Sequence, residues 1–369
     1  LQDLTSDLNS TPLIFSRPLW QAHIVDNYQG GSVIIFRIHH AIADGISLVR
    51  VMLSLMDTDT AKLTRHHKNM PAKNRSIIDR IMPPSGLIRQ SFQFGQDMLE
   101  EGIDLLKHPD QIMGKAREGA TVAAELARIA ALPSDPDTCF KGELTGRKAV
   151  AWAEPLPLIE VRKTAKLLGA SINDVILTAA TGAIRQYLIS KGQSVDFDQF
   201  HVVVPVNLRP LDKPITSLGN QFGLVVVELP VGTADCFERM EKVRKAMDLL
   251  KKSYQARIFL GLLGVLGKGP DKLEQSALEL LSKKASLVMT NVPGPEQAMY
   301  MAGSKLTQPM VWVPQSGTVG VGLSILSYNG GVQFGVVSDE NLITDPDLLV
   351  EHFLSSYAEL NTLAVASGT

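Results

Sequence analysis

Residues 306–338 carry no charged side chain. The stretch is long enough to cross a bilayer as a helix, but Pro309, Pro314 and repeated glycines interrupt it. Asn329-Gly330-Gly331 also stands between two apolar runs, 319–327 and 332–337. Asn-Gly supplies residues that tolerate positive φ, which a tight hairpin turn requires, so the stretch is expected to be two paired strands. A buried sheet would have this uncharged, glycine-rich composition, and helices and strands are mixed along the chain, as in a layered α/β architecture.

The rest of the chain supplies both kinds of element. Residues 22–26 and 32–38 read as strands joined across Gln29-Gly30-Gly31, the second leading into His39-His40, and a helix is expected over 46–56. Residues 57–85 lack sustained periodicity and suit an exposed crossing or a mobile loop, whereas 87–106 and 110–131 are expected to be helical, with Pro109 near a helix start. From about Arg147 a second unit begins, with a strand through Trp152 and a helix on Leu158, Val161, Ala165 and Leu168, stopped by Gly169. Asn173 or Ser171 can cap the next helix, on whose face Ile176, Ala180, Ala183 and Tyr187 recur. Strands are expected at 201–206, 223–229 and 286–290, and helices at 237–250 and 347–363.

These elements do not alternate as βαβ units, and neither GxGxxG nor GxxxxGK[ST] is present. The expected class is therefore an α/β sandwich in two halves: 1–132, a linker over 133–146, and 147–369. Lys+Arg 36 against Asp+Glu 38 leaves a net charge of −2, which speaks against a nucleic-acid or other general polyanion binder. Cys139 and Cys236 stand far apart without a CxxC, giving no material for a disulfide framework or a structural metal site. The apolar run 258–267 is too short to span a membrane, and residues 1–15 lack the pattern of a signal peptide. Because the first residue is Leu1, the chain is expected to begin inside a longer gene product.

The segment with most chemistry is Ile38-His39-His40-Ala41-Ile42-Ala43-Asp44-Gly45. Two histidines leave a strand end, a carboxylate follows four residues on, and Gly45 stands where the chain is expected to turn sharply into a helix. Histidine suits the removal of a proton from an alcohol and its return to a leaving group, because its ordinary pKa lies near working pH. Spacing alone leaves two readings open: a base loop, or two incidental histidines before an Asp N-cap. The pair His66-His67, in a polar stretch without Asp-Gly, reads as solvated surface.

His39-His40-Ala41-Ile42-Ala43-Asp44-Gly45 resembles the HHxxxDG signature of acyltransferases related to chloramphenicol acetyltransferase. It stands with Pro18-Leu19-Trp20 upstream, then Ser171-Ile172-Asn173-Asp174-Val175, Val204-Pro205-Val206-Asn207-Leu208-Arg209-Pro210 and Thr290-Asn291-Val292-Pro293-Gly294-Pro295. That set, in that order, is similar to the bacterial wax ester synthase/acyl-CoA:diacylglycerol acyltransferase family. The resemblance covers essentially the whole chain, but the family's strand and helix segment before the PLW motif is absent from this sequence.

The resemblance implies two chloramphenicol acetyltransferase-like halves with a channel between them, acyl-CoA and an acceptor alcohol entering from opposite faces. It maps the catalytic base onto His40, gives His39 a supporting role, and turns Asp44 away from the substrate toward an arginine. Arg209 is the expected partner. Asn173, Asp174, Asn207 and Asn291 are expected to shape the site, although capping alone would explain Asn173 and Asp174, and a strand-closing turn would explain Asn291. Trp20 reads as a packing anchor beneath the hairpin.

The expected reaction is direct transfer without an acyl-enzyme, in keeping with the absence of a GxSxG elbow. It needs no cofactor or metal, acyl-CoA being a substrate. The implied partners are acyl-CoA, a long-chain alcohol or diacylglycerol, and a membrane or lipid inclusion met peripherally from the cytoplasm. The basic 62–75 stretch and the apolar 258–267 run are the candidate contact surfaces, and a homodimer is left open. Two rivals remain: a condensation-type acyltransferase fed by a carrier protein, and a non-catalytic binding module of the same fold.

Overall fold

A computed structural model describes residues 1–58, 131–208, 219–251, 284–315 and 317–367. The helix expected over 87–106, all but the last residue of that expected over 110–131, His66, His67, Arg209 and both candidate membrane-contact stretches lie outside the described residues.

The chain opens with α1 (Gln2–Ser10), the hairpin β1 (Trp20–Tyr28) and β2 (Gly31–Ile38), and α2 (Gly45–Ser54). After the undescribed stretch come β3 (Lys148–Trp152), β4 (Leu156–Pro157), α3 (Leu158–Leu167), α4 (Ile172–Ser190), β5 (His201–Asn207), β6 (Phe222–Glu228) and α5 (Cys236–Lys251). The chain continues through β7 (Leu287–Pro293), β8 (Tyr300–Met301), β9 (Ser304–Lys305), β10 (Val321–Tyr328), β11 (Gly331–Asp339) and α6 (Pro346–Ser367). A seven-stranded mixed sheet has the order β3-β11-β10-β7-β5-β6, with β4 added to β11. Strands β5, β7 and β10 run parallel, and β6 and β11 run against them. Among the described residues no single helix is long and apolar enough to cross a membrane.

The uncharged stretch folds as its composition requires. Tyr328 pairs with Gly331 across Asn329 (φ 45°) and Gly330 (φ 78°), a two-residue turn with both φ angles positive. Nearly every residue of β10 and β11 is buried. Helices α4 and α6 pack together over one face, where Phe334 stacks on Phe353 with ring centroids 3.8 Å apart. On the other face the segment carrying Met310, Trp312 and Val313 lies against the strands. A Cβ at Gly335 would come within 2.6 Å of Met310 Cε and 2.7 Å of Trp312 Cζ3, so only glycine admits that close approach.

Helix α4 is the central helix, buried from Asp174 through Ile184. Ser171 is its cap: its Oγ accepts from Asp174 N–H at 3.1 Å, while Asp174 Oδ2 accepts from Ser171 N–H at 2.9 Å. The first hairpin turns over Gln29 (φ 50°) and Gly30 (φ 79°). Its register pairs Trp20 with Ile38, Ala22 with Phe36, and Ile24 with Ile34.

That register corrects the expectation for Trp20. The residue is 56% exposed, on the outward face with Ile24, while Gln21, His23 and Val25 alternate onto the half-buried face. Helix α1 was not foreseen: it is only nine residues long and buries only Thr5. It docks through hydroxyls instead: Ser6 and Ser10 Oγ accept the Val150 and Lys148 N–H groups at 3.1 and 2.7 Å, satisfying part of strand β3. Asp135, from the expected linker, holds His201 and Ser286 at the starts of β5 and β7. Its carboxylate accepts the Ser286 hydroxyl at 2.7 Å and lies 2.6 Å from His201 Nδ1.

Candidate active site

Strand β2 ends at Ile38, and the next six residues cross to α2 without regular structure. The loop is fastened at its start, where His39 N–H donates to Leu19 O at 2.9 Å. The PLW motif thus reaches the histidines through its backbone, with Pro18 and Trp20 exposed beside it. The His39 ring is used locally: Nδ1 accepts from Ala41 N–H at 3.2 Å, and Phe15 meets the ring edge-on with centroids 5.5 Å apart.

At its far end the loop is fastened by Asp44, which is 3% exposed. Its Oδ1 accepts from Ser47 N–H at 2.9 Å and caps α2; its Oδ2 accepts from Gln221 N–H at 3.0 Å. Asp44 N–H in turn donates to Gly219 O at 3.2 Å. The cap geometry makes the turn that the sequence assigned to glycine: Gly45 lacks a positive φ, and a Cβ there would meet nothing within 4 Å. Asp44 therefore combines two expected roles, the N-cap and the buried structural carboxylate. Its expected arginine, Arg209, lies outside the described residues.

Between these anchors stands His40, half-buried, its ring edge-on to Phe222 with centroids 5.6 Å apart. Asn220 Nδ2 donates to the His40 carbonyl at 3.0 Å. Burial pushes the His40 imidazole below its ordinary pKa, against the Asp44 charge and the hydrogen bonds of its own carbonyl and Asn220, which favour the protonated ring; His39 adds a small lowering. The result is an imidazole that is neutral near pH 7 and able to accept a proton.

Residues 219–222 thus build the base loop from the far side, though nothing in the sequence pattern singled them out. The available signal was a polar Gly-Asn-Gln triplet directly before an apolar strand, which reads as an ordinary loop.

Helix α2 is also joined to the C-terminal part at its other end. Asp57 and Tyr300 exchange backbone hydrogen bonds at 2.7 and 2.8 Å, and Leu53 packs with Met299 and Tyr328. Helix α2 is thus held at both ends by segments more than 160 residues away, which limits drift of the His40 loop relative to the sheet.

The remaining candidates meet at one end of that sheet. Asn207 closes β5 and pairs with Phe222, while Asn291 lies near the C-terminal end of the parallel neighbour β7. Asn291 Nδ2 donates to Asn173 Oδ1 at 2.8 Å, bringing together residues 118 positions apart on a strand end and the first turn of α4. Asp174 takes the capping role: its Oδ2 accepts from both the Ser171 N–H and hydroxyl.

Comparison with known proteins gives this arrangement its family. The wax ester synthase/diacylglycerol acyltransferase catalytic domain matches residues 1–176, and the WS/DGAT C-terminal domain matches 218–361. The probable diacylglycerol O-acyltransferase tgs1 of Mycobacterium tuberculosis is 23% identical over 98% of this chain and 75% of its own. The same organism's probable diacylglycerol O-acyltransferase tgs2 is 26% identical over 98% and 77%.

Among solved structures, the wax ester synthase/diacylglycerol acyltransferase from Marinobacter aquaeolei VT8 superposes with a TM-score of 0.62 at 19% identity, covering 99% of this chain and 76% of that one. The first condensation domain of the calcium-dependent antibiotic synthetase reaches 0.58 at 17% identity, over 98% and 74%. These two share the α/β fold expected from the HHxxxDG resemblance. With both family domains matched in order around the His40 loop, this chain belongs to the wax ester synthase/diacylglycerol acyltransferase family and is an acyltransferase.

Proposed function

We propose that the protein transfers the acyl group of an acyl-CoA thioester to the hydroxyl of a diacylglycerol or a long-chain alcohol, with His40 as general base. One observation carries the assignment: a half-buried imidazole, lowered in pKa by burial, at the mouth of a loop whose carboxylate is occupied elsewhere. His40 takes the hydroxyl proton as the oxygen attacks the thioester carbon, and a tetrahedral oxyanion forms. The imidazolium then gives that proton to the departing CoA sulfur, so the enzyme is regenerated without a covalent intermediate.

Asn173 and Asn291, locked together at 2.8 Å, and Asn207 beside Phe222 place amide groups at the sheet end nearest the loop. These amides suit the orientation of a polar ester or thioester in otherwise apolar surroundings. His39, occupied by Ala41 N–H and Phe15, supports the loop. Both acceptors are water-insoluble, which supports peripheral work at a lipid surface.

The test offers purified protein palmitoyl-CoA or a palmitoylated carrier protein, each with hexadecanol and dipalmitoylglycerol. Ester and free CoA in equal amounts from the CoA donor are expected. Transfer only from the carrier would establish the condensation-type alternative, and transfer from neither would favour a non-catalytic module.

A further inference from the structure

We infer that Asn220 is the positioning residue of the catalytic base, holding the His40 backbone and ring in the orientation that accepts the hydroxyl proton. The inference rests on the reading of His40 as base. Its geometric basis is the way residues 219–222 engage the loop one after another. Gly219 O and Gln221 N–H are both bonded to Asp44, so the backbone on either side of Asn220 is pinned. Phe222 then meets the His40 ring, and Asn220 between them reaches the His40 carbonyl.

An asparagine held this way has two working ends. Its amide N–H fixes the carbonyl of the residue whose ring does the chemistry, and its carbonyl oxygen remains to accept from a ring N–H. Such an acceptor strengthens its hold as the imidazole gains a proton, so it stabilises the cation formed during attack. The amide itself takes and gives no proton. The influence of Asn220 on the ring, which favours the protonated form, agrees with this geometry. Among the described residues, the charged or titratable groups acting on the ring are Asp44 and His39.

Asn220→Ala and Asn220→Asp separate positioning from bulk structure. Each variant's kcat and KM are measured against pH, and the His40 pKa is read directly from ring signals in nuclear magnetic resonance spectra. Asn220→Ala is expected to lower kcat about 10- to 100-fold with little change in KM, as misplacement of a catalytic group does. Its acid limb should move to lower pH, because a contact favouring the imidazolium is lost. Asn220→Asp adds a negative charge and should move the limb to higher pH. A purely structural residue would not shift the two variants in opposite directions.

If Asn220→Ala fails to fold by circular dichroism, the nearly isosteric Asn220→Asp carries the test. A His40 pKa unchanged in both variants, or in Asn220→Asp alone where only it folds, overturns the inference. Activity retained in His40→Ala would instead overturn the reading on which it rests.

Discussion

Substitution of Asp44 separates two ways in which this loop could work. In the structure both carboxylate oxygens engage backbone: Oδ1 caps α2 through Ser47 N–H, and Oδ2 receives Gln221 N–H from the segment that also carries Asn220. Losing a helix cap costs about 1 kcal/mol. A buried hydrogen bond to a charged acceptor contributes roughly 1.5–3 kcal/mol. Asp44→Ala should therefore destabilise the protein by about 2.5–4 kcal/mol, with unpaired N–H groups left at two places. Asp44→Asn should cost less, since asparagine still caps but must turn its amide N–H groups toward one of the two donors.

Urea unfolding followed by circular dichroism measures the loss as a lower midpoint at constant slope. Activity is measured on the same samples below the unfolding transition. If Asp44 instead oriented the His40 ring as the acid of a triad, kcat would fall by about 10⁴ while stability stayed near wild type. That second pattern would refute the structural role.

Asp339 is wholly buried and accepts from Thr145 N–H and hydroxyl, Gly146 N–H and Asn341 N–H. Burial opposes its charge, yet these donors hold its carboxyl below the usual carboxylate range. Its contribution is present above the unfolded carboxylate pKa and is lost as pH falls through the lower folded value, so Asp339→Asn should flatten the acid end of the stability–pH curve. Gly335→Ala should lower the thermal midpoint, at about 1–3 kcal/mol, by forcing Met310 and Trp312 off the sheet. Asn173→Ala and Asn291→Ala should be non-additive in kcat/KM, a double-mutant cycle returning a coupling of about 0.5–1.5 kcal/mol for their shared hydrogen bond.

What the sequence made legible was whatever rests on local pattern. The Asn329-Gly330 turn and the two strands it joins follow from a few adjacent residues and lie where expected, and of the two caps that the pattern left open, Ser171 and Asn173, Ser171 caps α4. The base loop was legible because its histidines, aspartate and glycine are contiguous, although the role given to Gly45 belonged to the Asp44 cap. Trp20 was misread because tryptophan is usually an anchor, whereas strand alternation alone decides its face here. Asn220 and Phe222 could not be read at all. They act on His40 from 180 and 182 positions away, contacts that no local pattern carries.

The role of His40 as the base of acyl transfer is tested by comparing His40→Ala with wild type in transfer from palmitoyl-CoA. With the fold verified by circular dichroism, kcat is expected to fall by about 10²–10⁴, the range that removal of a general base typically produces. His39→Ala should lose less, and the wild-type rate should decline on acidification only below the ordinary histidine range, because burial lowers the His40 pKa. A folded His40→Ala enzyme that retains wild-type kcat, or a larger loss from His39→Ala than from His40→Ala, would contradict that role.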